Sequence, residues 1–371
     1  MTSIENLGHE NRKFAPSAEF VAQANAKPAL FDEARADRLK FWETQAEFLS
    51  WDKKWDRVLD WQMPFAKWFI GGKLNASYNC LDRHVLEGRG ERVAFYFEGE
   101  PGDTKTLTYK DMLREVSKAA NALKQLGIKA GDRVAIYLPM IPEAAIAMLA
   151  CARIGAAHSV VFGGFSADSL LSRIQDADAK LVITSDGGFR RGAPFALKPA
   201  VDESLKGKHN VEKVLVVKRT GQETNWNSER DIWWHELVDK QSEKHECEFF
   251  DSEQVLFILY TSGTTGLPKG VVLTHSAICS VMEDVKKVLE GITSEDEFLL
   301  TFLPMSHIFG KWESMTPYFL GWTQSFAESI DALVSNLAEV RPTFWFSVPR
   351  IYEKVYAKIM GTVETASPVK K

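Results

Sequence analysis

Residues 260–275 read YTSGTTGLPKGVVLTH, with three glycines, five serines or threonines and one lysine. Glycine lets a backbone adopt positive φ and approach a ligand closely. Successive free N–H groups in such a turn form a nest for an anion. Thr261, Ser262, Thr264 and Thr265 add hydroxyl donors around Gly263 and Gly266, and Lys269 adds a mobile positive charge. This chemistry suits a polyphosphate. A Walker A loop would need Gly-Lys-Ser/Thr followed by a helix. Here Pro268 precedes Lys269, Gly270 follows it, and VVLTH reads as a strand. The expectation is therefore strand–loop–strand, a flap rather than a helix-capped cradle.

Three further groups could do chemistry. Phe162-Gly163-Gly164 sits between a strand and a helix that Ser166 can cap, an anion-friendly position. By itself the glycine pair reads as a tight turn. Arg190-Arg191 offers planar forks for phosphate, and alone reads as solvated surface. His307, in PMSHIFG, reads by itself as a packing residue. Cys80, Cys151, Cys247 and Cys279 lie far apart, with no Cys/His metal spacing, so no metal ligands are expected and the thiols read as structural.

The elements that carry these residues alternate. ERVAFYFEGEPGDTKTLTY (91–109) reads as a hairpin, and Thr108 and Asp111 have capping-box spacing before a helix that Gly127 ends. RVAIYLP, HSVVFGG, KLVIT, KVLVV and VLFILY (255–260) read as strands, separated by amphipathic or alanine-rich helices. FLLTFLP and TFWFSV read as two more strands, and a helix is expected from about Ser276 to Leu289. Continuous apolar strands between helices imply an α/β fold of layered, mainly parallel sheets. Residues 17–86 carry Trp42, Trp51, Trp55, Trp61 and Trp68 and read as helix and loops whose tryptophans fill seams or stack on a ligand. Residues 218–250 read as a polar surface excursion plus a connector.

YTSGTTGLPKG resembles the phosphate signature of the adenylate-forming acyl-CoA synthetases. The resemblance has two flavours. KWFIGGKLNASYNCLDRH (67–84), LPMIPEAAIAMLACARIGAAHSVVFGGFS (138–166) and LVITSDGGFRRG (181–192) look like acetyl-CoA synthetase. FLPMSHIFGKWES (302–314) and AEVRPTFWFSVPRIYEKVY (338–356) look like a long-chain fatty acyl-CoA synthetase. The resemblance implies ATP, Mg²⁺ and coenzyme A as ligands. It makes Thr261, Ser262, Gly263, Thr264, Thr265, Gly266 and Lys269 the ATP loop. It places coenzyme A near Phe162, Gly163, Gly164 and Arg190, with Arg191 standing in for a second family arginine that falls on Ala193. It sets His307 beside the acyl tunnel and adenylate site, and Trp312 either there or in the core.

The resemblance further implies a division into a tryptophan-rich cap region (1–88), a first α/β subdomain (89–248) and the start of a second (249–371). Family motifs for adenine, ribose and the adenylating lysine are not found after residue 270. The expected architecture is thus an incomplete large N-terminal domain, inactive alone or completed by a second chain. The expected function is acid–CoA ligation with a small carboxylate such as acetate. Long-chain acid ligation and a non-catalytic nucleotide-binding remnant are the alternatives.

With 371 residues, a formal net charge of −5 and 26% charged residues, the composition is that of an ordinary globular protein. The mild acidity argues against a nucleic-acid binder. No apolar run approaches the roughly 18 residues of a membrane span. The reading is a cytoplasmic protein.

Overall fold

The computed structural model describes residues 15–24, 27–261, 269–289, 296–328 and 332–365. Three short helices open it: α1 (Ala18–Gln23), α2 (Pro28–Ala36) and α3 (Arg38–Ala46). Strands β1 (Trp51–Lys53), β2 (Arg57–Gln62), β3 (Phe65–Ile70) and β4 (Lys73–Leu74) follow. Residues 51–74 are thus strand, where the sequence reading had helix and loops. Pro64 divides two β-rich runs and cannot continue a helix, so they pair as the β2–β3 hairpin. Trp51, Trp55 and Phe69 do fill a seam, with ring centroids 5.0, 5.6 and 5.1 Å apart.

The hairpin β5 (Val93–Glu98) and β6 (Thr104–Thr108) leads into α4 (Tyr109–Gln125), and both halves of the Thr108–Asp111 capping box form. Alternation continues through β7 (Arg133–Tyr137), α5 (Pro142–Arg153), β8 (Ala157–Val160), α6 (Ala167–Asp176) and β9 (Leu181–Ser185). A small hairpin, β10 (Gly187–Arg190) and β11 (Ala193–Ala196), precedes α7 (Lys198–Ser204) and β12 (Lys213–Val217). The excursion at 218–250 holds β13 (Asp231–Trp233), α8 (Trp234–Leu237) and β14 (Phe250–Asp251). β13 pairs parallel with β12, a strand that the reading as surface excursion plus connector did not include. Asp231 anchors it, accepting from the buried Lys198 Nζ at 2.7 Å. The rest comprises β15 (Val255–Thr261), β16 (Lys269–Thr274), α9 (His275–Leu289), β17 (Phe298–Thr301), α10 (Ile308–Leu320), β18 (Thr323–Phe326), α11 (Leu333–Val340) and α12 (Pro349–Thr365).

Seven strands form one sheet in the order β13-β12-β9-β7-β8-β15-β16, parallel except at the β15–β16 edge. Four form a second sheet in the order β17-β18-β5-β6. The sheets interleave along the chain. β15 and β16 complete the sheet of residues 133–233, while β17 and β18 extend the one that β5 begins. TFWFSV makes no strand; Phe344 forms a single bridge to Leu299. Pro342 supplies no N–H, and Phe344 and Phe346 turn into aromatic packing with Trp322 and Trp312 instead. One core cluster draws Phe95, Ile136, Phe257 and Phe326 from both sheets. Within it every α5 residue except Glu143 is buried; its alanines let backbones approach closely.

Candidate functional site

Strands β7, β8, β9, β12 and β15 run parallel, so their carboxyl ends share one edge. Ligands of open α/β sheets bind outside that edge. A cleft of about 690 Å³ lies there, walled by the segments after β7 and β8, by the β10–β11 hairpin, and by Pro304–Ser306, Ala327 and Glu328 beside the second sheet. Phe162, Gly163, Gly164, Arg190 and Arg191 all line it. Two sequence segments about thirty residues apart, each unremarkable alone, are thereby brought together.

The Phe162–Phe165 turn is held from below. Tyr137 Oη donates to the Phe165 carbonyl at 2.8 Å and the Gly163 carbonyl at 3.3 Å. A Cβ on Gly164 would stand 2.6 Å from the Phe162 ring, so only glycine lets that ring fold back. Ser166 Oγ accepts from Ser169 N at 3.3 Å and starts α6, as its sequence position implied.

Arg190 ends β10 and Arg191 opens a two-residue turn in which Arg191 has φ +56° and Gly192 φ +76°. A non-glycine residue there is strained. Glu100, from the β5–β6 turn, compensates by accepting from Arg191 N at 3.2 Å and Gly192 N at 2.9 Å. Glu100→Ala should release the turn and speed tryptic cleavage after Arg190 and Arg191 severalfold, with other sites unchanged. Fragment mass spectrometry checks this; equal rates would remove Glu100 as the anchor.

Arg219 completes the wall. Its guanidinium stands 5.5 Å from the Phe97 ring and 5.1 Å from Phe189. It donates to both Asp103 oxygens, at 2.5 and 2.9 Å, and those hydrogen bonds hold the Asp103 carboxyl below its usual range. Asp186 fixes the approach of this loop by accepting from the N–H groups of Arg219, Thr220 and Gly221 at 2.7, 3.0 and 2.7 Å. Glu100, Arg219, Tyr137 and Asp186 were not singled out from sequence; EGEPGD and KRTG carried only turn signals. The cleft's Arg190, Arg191 and Arg219 are matched in number by Glu98, Glu100 and Glu328. Backbone bonding of Glu100 and the Asp103 pairing of Arg219 therefore set how much positive charge faces a ligand.

Antiparallel β15 and β16 bring Thr261 opposite Lys269, so the strand–loop–strand expectation holds at the roots of the flap. Lys269 is exposed. Ser262, Gly263, Thr264, Thr265 and Gly266 lie outside the described residues. His307 is exposed and caps α10, its Nδ1 accepting from Phe309 N at 3.2 Å. It is not among the cleft-lining residues, although Pro304, Met305 and Ser306 just before it are. Trp312 stacks on Phe309 with centroids 5.6 Å apart and meets Phe346 at 4.7 Å. Among the described residues no cluster of three or more His, Cys, Asp or Glu could hold a metal, and no helix is long and apolar enough to cross a membrane.

A parallel sheet with the antiparallel β15–β16 pair at its edge, set against a second sheet across a cleft, is the α/β arrangement of an adenylate-forming fold. A family model described as AMP-binding enzyme matches residues 81–370, and the chain belongs to that family. A second model, the acetyl-coenzyme A synthetase N-terminus, matches residues 28–80. The acetyl-coenzyme A synthetase of Streptomyces avermitilis is 62% identical over 273 residues, covering 73% of this chain and 42% of that protein. That of Deinococcus radiodurans is 55% identical over 273 residues, covering 72% and 42%. The solved acetoacetyl-CoA synthetase of Streptomyces lividans superposes with a TM-score of 0.77 at 23% identity, covering 89% of this chain and 54% of that one. The chain spans less than half the length of the acetyl-coenzyme A synthetases it matches.

Proposed function

We propose that this chain carries the coenzyme A cleft and the polyphosphate flap of an ATP-dependent acid–CoA ligase acting on acetate or another short carboxylate. The observation that carries the reading is convergence: the glycine turn, the arginine hairpin and the root of the hydroxyl flap all leave the same edge of one sheet. In this reading Lys269 and the loop at 261–266 hold the polyphosphate of ATP·Mg²⁺ while a carboxylate attacks the α-phosphorus and pyrophosphate leaves. The coenzyme A thiol then takes the acyl group and AMP departs. Arg190 and Arg191 take phosphate oxygens of coenzyme A, and the rings of Phe162, Phe165 and Phe189 supply apolar walls. Mg²⁺ accompanies the nucleotide, and no protein ligand is assigned to it. A cytoplasmic setting fits Cys80, Cys151, Cys247 and Cys279, all of which are free thiols.

Lys269→Ala should weaken ATP·Mg²⁺ binding by about tenfold or more, since a charge-assisted contact is worth about 1.5–3 kcal/mol. Calorimetry on both forms decides it, and unchanged affinity takes the lysine out of the site. Pyrophosphate release with ATP, Mg²⁺, coenzyme A and acetate tests the reaction itself. Binding of both ligands without turnover favours the non-catalytic reading. A long-chain preference draws on a second observation, the mutual packing of Phe309, Trp312 and Phe346, the first two on the helix that follows the cleft-lining Pro304–Ser306. Turnover of palmitate in preference to acetate would favour it.

A further inference from the structure

Arg173, on α6, is 8% exposed, and among the described residues it has no carboxylate partner. Its Nη1 donates to the Ser169 carbonyl at 2.7 Å. Its guanidinium stands 4.7 Å from the Phe165 ring and 5.4 Å from the Tyr260 ring. Phe165 ends the cleft turn that Tyr137 holds. Tyr260 is the penultimate residue of β15, at the root of the flap. Its Oη donates to Asp176 Oδ2 at 2.7 Å, on the same helix as Arg173. The return strand is seated there too. A Cβ on Gly270 would come 3.3 Å from both Asp176 Oδ2 and the Tyr260 ring, and 3.0 Å from Ile258.

Leu170 and Ile174 already anchor α6 in the core, so packing alone does not call for a cation at 173. Burying a guanidinium carries a desolvation cost. What a planar cation adds is attraction to two ring faces at once. The contacts run unbroken from the cleft turn through Phe165 and Arg173 to Tyr260 on β15.

We propose that Arg173 is a positioning residue that sets the cleft turn and the β15–β16 edge against each other, so that a ligand at one biases the other. The ligand part rests on the functional reading above; the mechanical link does not. Amide hydrogen exchange on the whole chain tests the link without ligand. Arg173→Leu should speed exchange about tenfold in both 161–166 and 255–261, leave β9 unchanged, and be largely restored in Arg173→Lys. Tyr260→Leu, which removes one face, should loosen 161–166 although it lies on another element. An unchanged 161–166 in Tyr260→Leu, or faster exchange that also spreads to β9, overturns the proposal. With ligand, calorimetry should show coenzyme A affinity differing about threefold with and without saturating ATP·Mg²⁺, and no difference in Arg173→Leu. A ratio retained in Arg173→Leu also overturns it. A parent chain that binds neither ligand sinks the functional reading, and the exchange result then decides the link.

Discussion

Lys311→Met should stabilise the protein by about 3 kcal/mol near pH 8, one of the largest effects of any single substitution here. Lys311 lies on α10 with none of its side chain exposed. Its Nζ meets His158 Nε2 at 2.9 Å and Met148 Sδ at 2.6 Å, and stands 5.1 Å from the Phe257 ring. No carboxylate pairs with it among the described residues. Burial therefore brings its pKa down from 10.5 to about 7 and also holds His158 neutral. Between those two values the unfolded chain keeps a proton that the folded chain has lost, so stability rises with pH across the window. Glu313 does the reverse. Burial raises it from 4.5 to about 8, against weak acceptance from Leu303 N at 3.4 Å. The folded state then holds the extra proton, and this contribution falls as pH rises from about 4.5 to 8. Buried His84, His158, His275 and the four cysteines shift as well, so the two limbs are read as differences between parent and variant. Urea melts of parent, Lys311→Met and Glu313→Gln at pH 5, 7.5 and 10 give those differences. The gain in Lys311→Met should shrink between pH 7.5 and 10, and that in Glu313→Gln should grow between pH 5 and 7.5. A methionine variant no more stable at pH 7.5, or a gain that does not shrink by pH 10, would refute this account.

Asp82→Ala should cost about 3–5 kcal/mol. Arg153 ends the buried helix α5 with a side chain only 2% exposed. It is neutralised by a two-pronged contact, Nη1 to Asp82 Oδ2 at 2.7 Å and Nη2 to Oδ1 at 2.9 Å, with the His245 carbonyl at 2.6 Å as a third acceptor. Removing the carboxylate strands a buried charge at the joint between the π-helical stretch Tyr78–Asp82 and the core. The double variant Asp82→Leu/Arg153→Met should recover much of the loss, because the expense lies in the uncompensated charge. The exposed pair Lys40–Glu43 is a contrast: Glu43→Ala should leave the melting temperature nearly unchanged. A small loss for Asp82→Ala would mean that water reaches the guanidinium.

Much of this fold was legible because its signals are local. KVLVV is β12 residue for residue, and the Thr108–Asp111 cap spans three positions. The flap was legible through its glycine and hydroxyl spacing and the apolar run before it. Residues 51–74 were misread because aromatic runs broken by charges suit a helix face or a half-buried strand equally well. TFWFSV had strand composition, but its neighbours offered it one bridge.

By itself the sequence determined the alternation of strands and helices, the strand–loop–strand form of the flap, and which residues were chemically able to meet an anion. These follow from periodicity, capping and turn chemistry, which act over a few residues. Only the tertiary structure decided what holds those residues in place. Glu100 anchors Arg191 across 91 positions, and Asp103 pairs with Arg219 across 116. Tyr260 reaches the Arg173 helix across 87, and Lys311 finds His158 across 153. Such pairs depend on strand order and on how two sheets interleave along the chain. Hydrophobic burial sets that order through the summed packing of the whole core, and no short stretch of sequence records the sum.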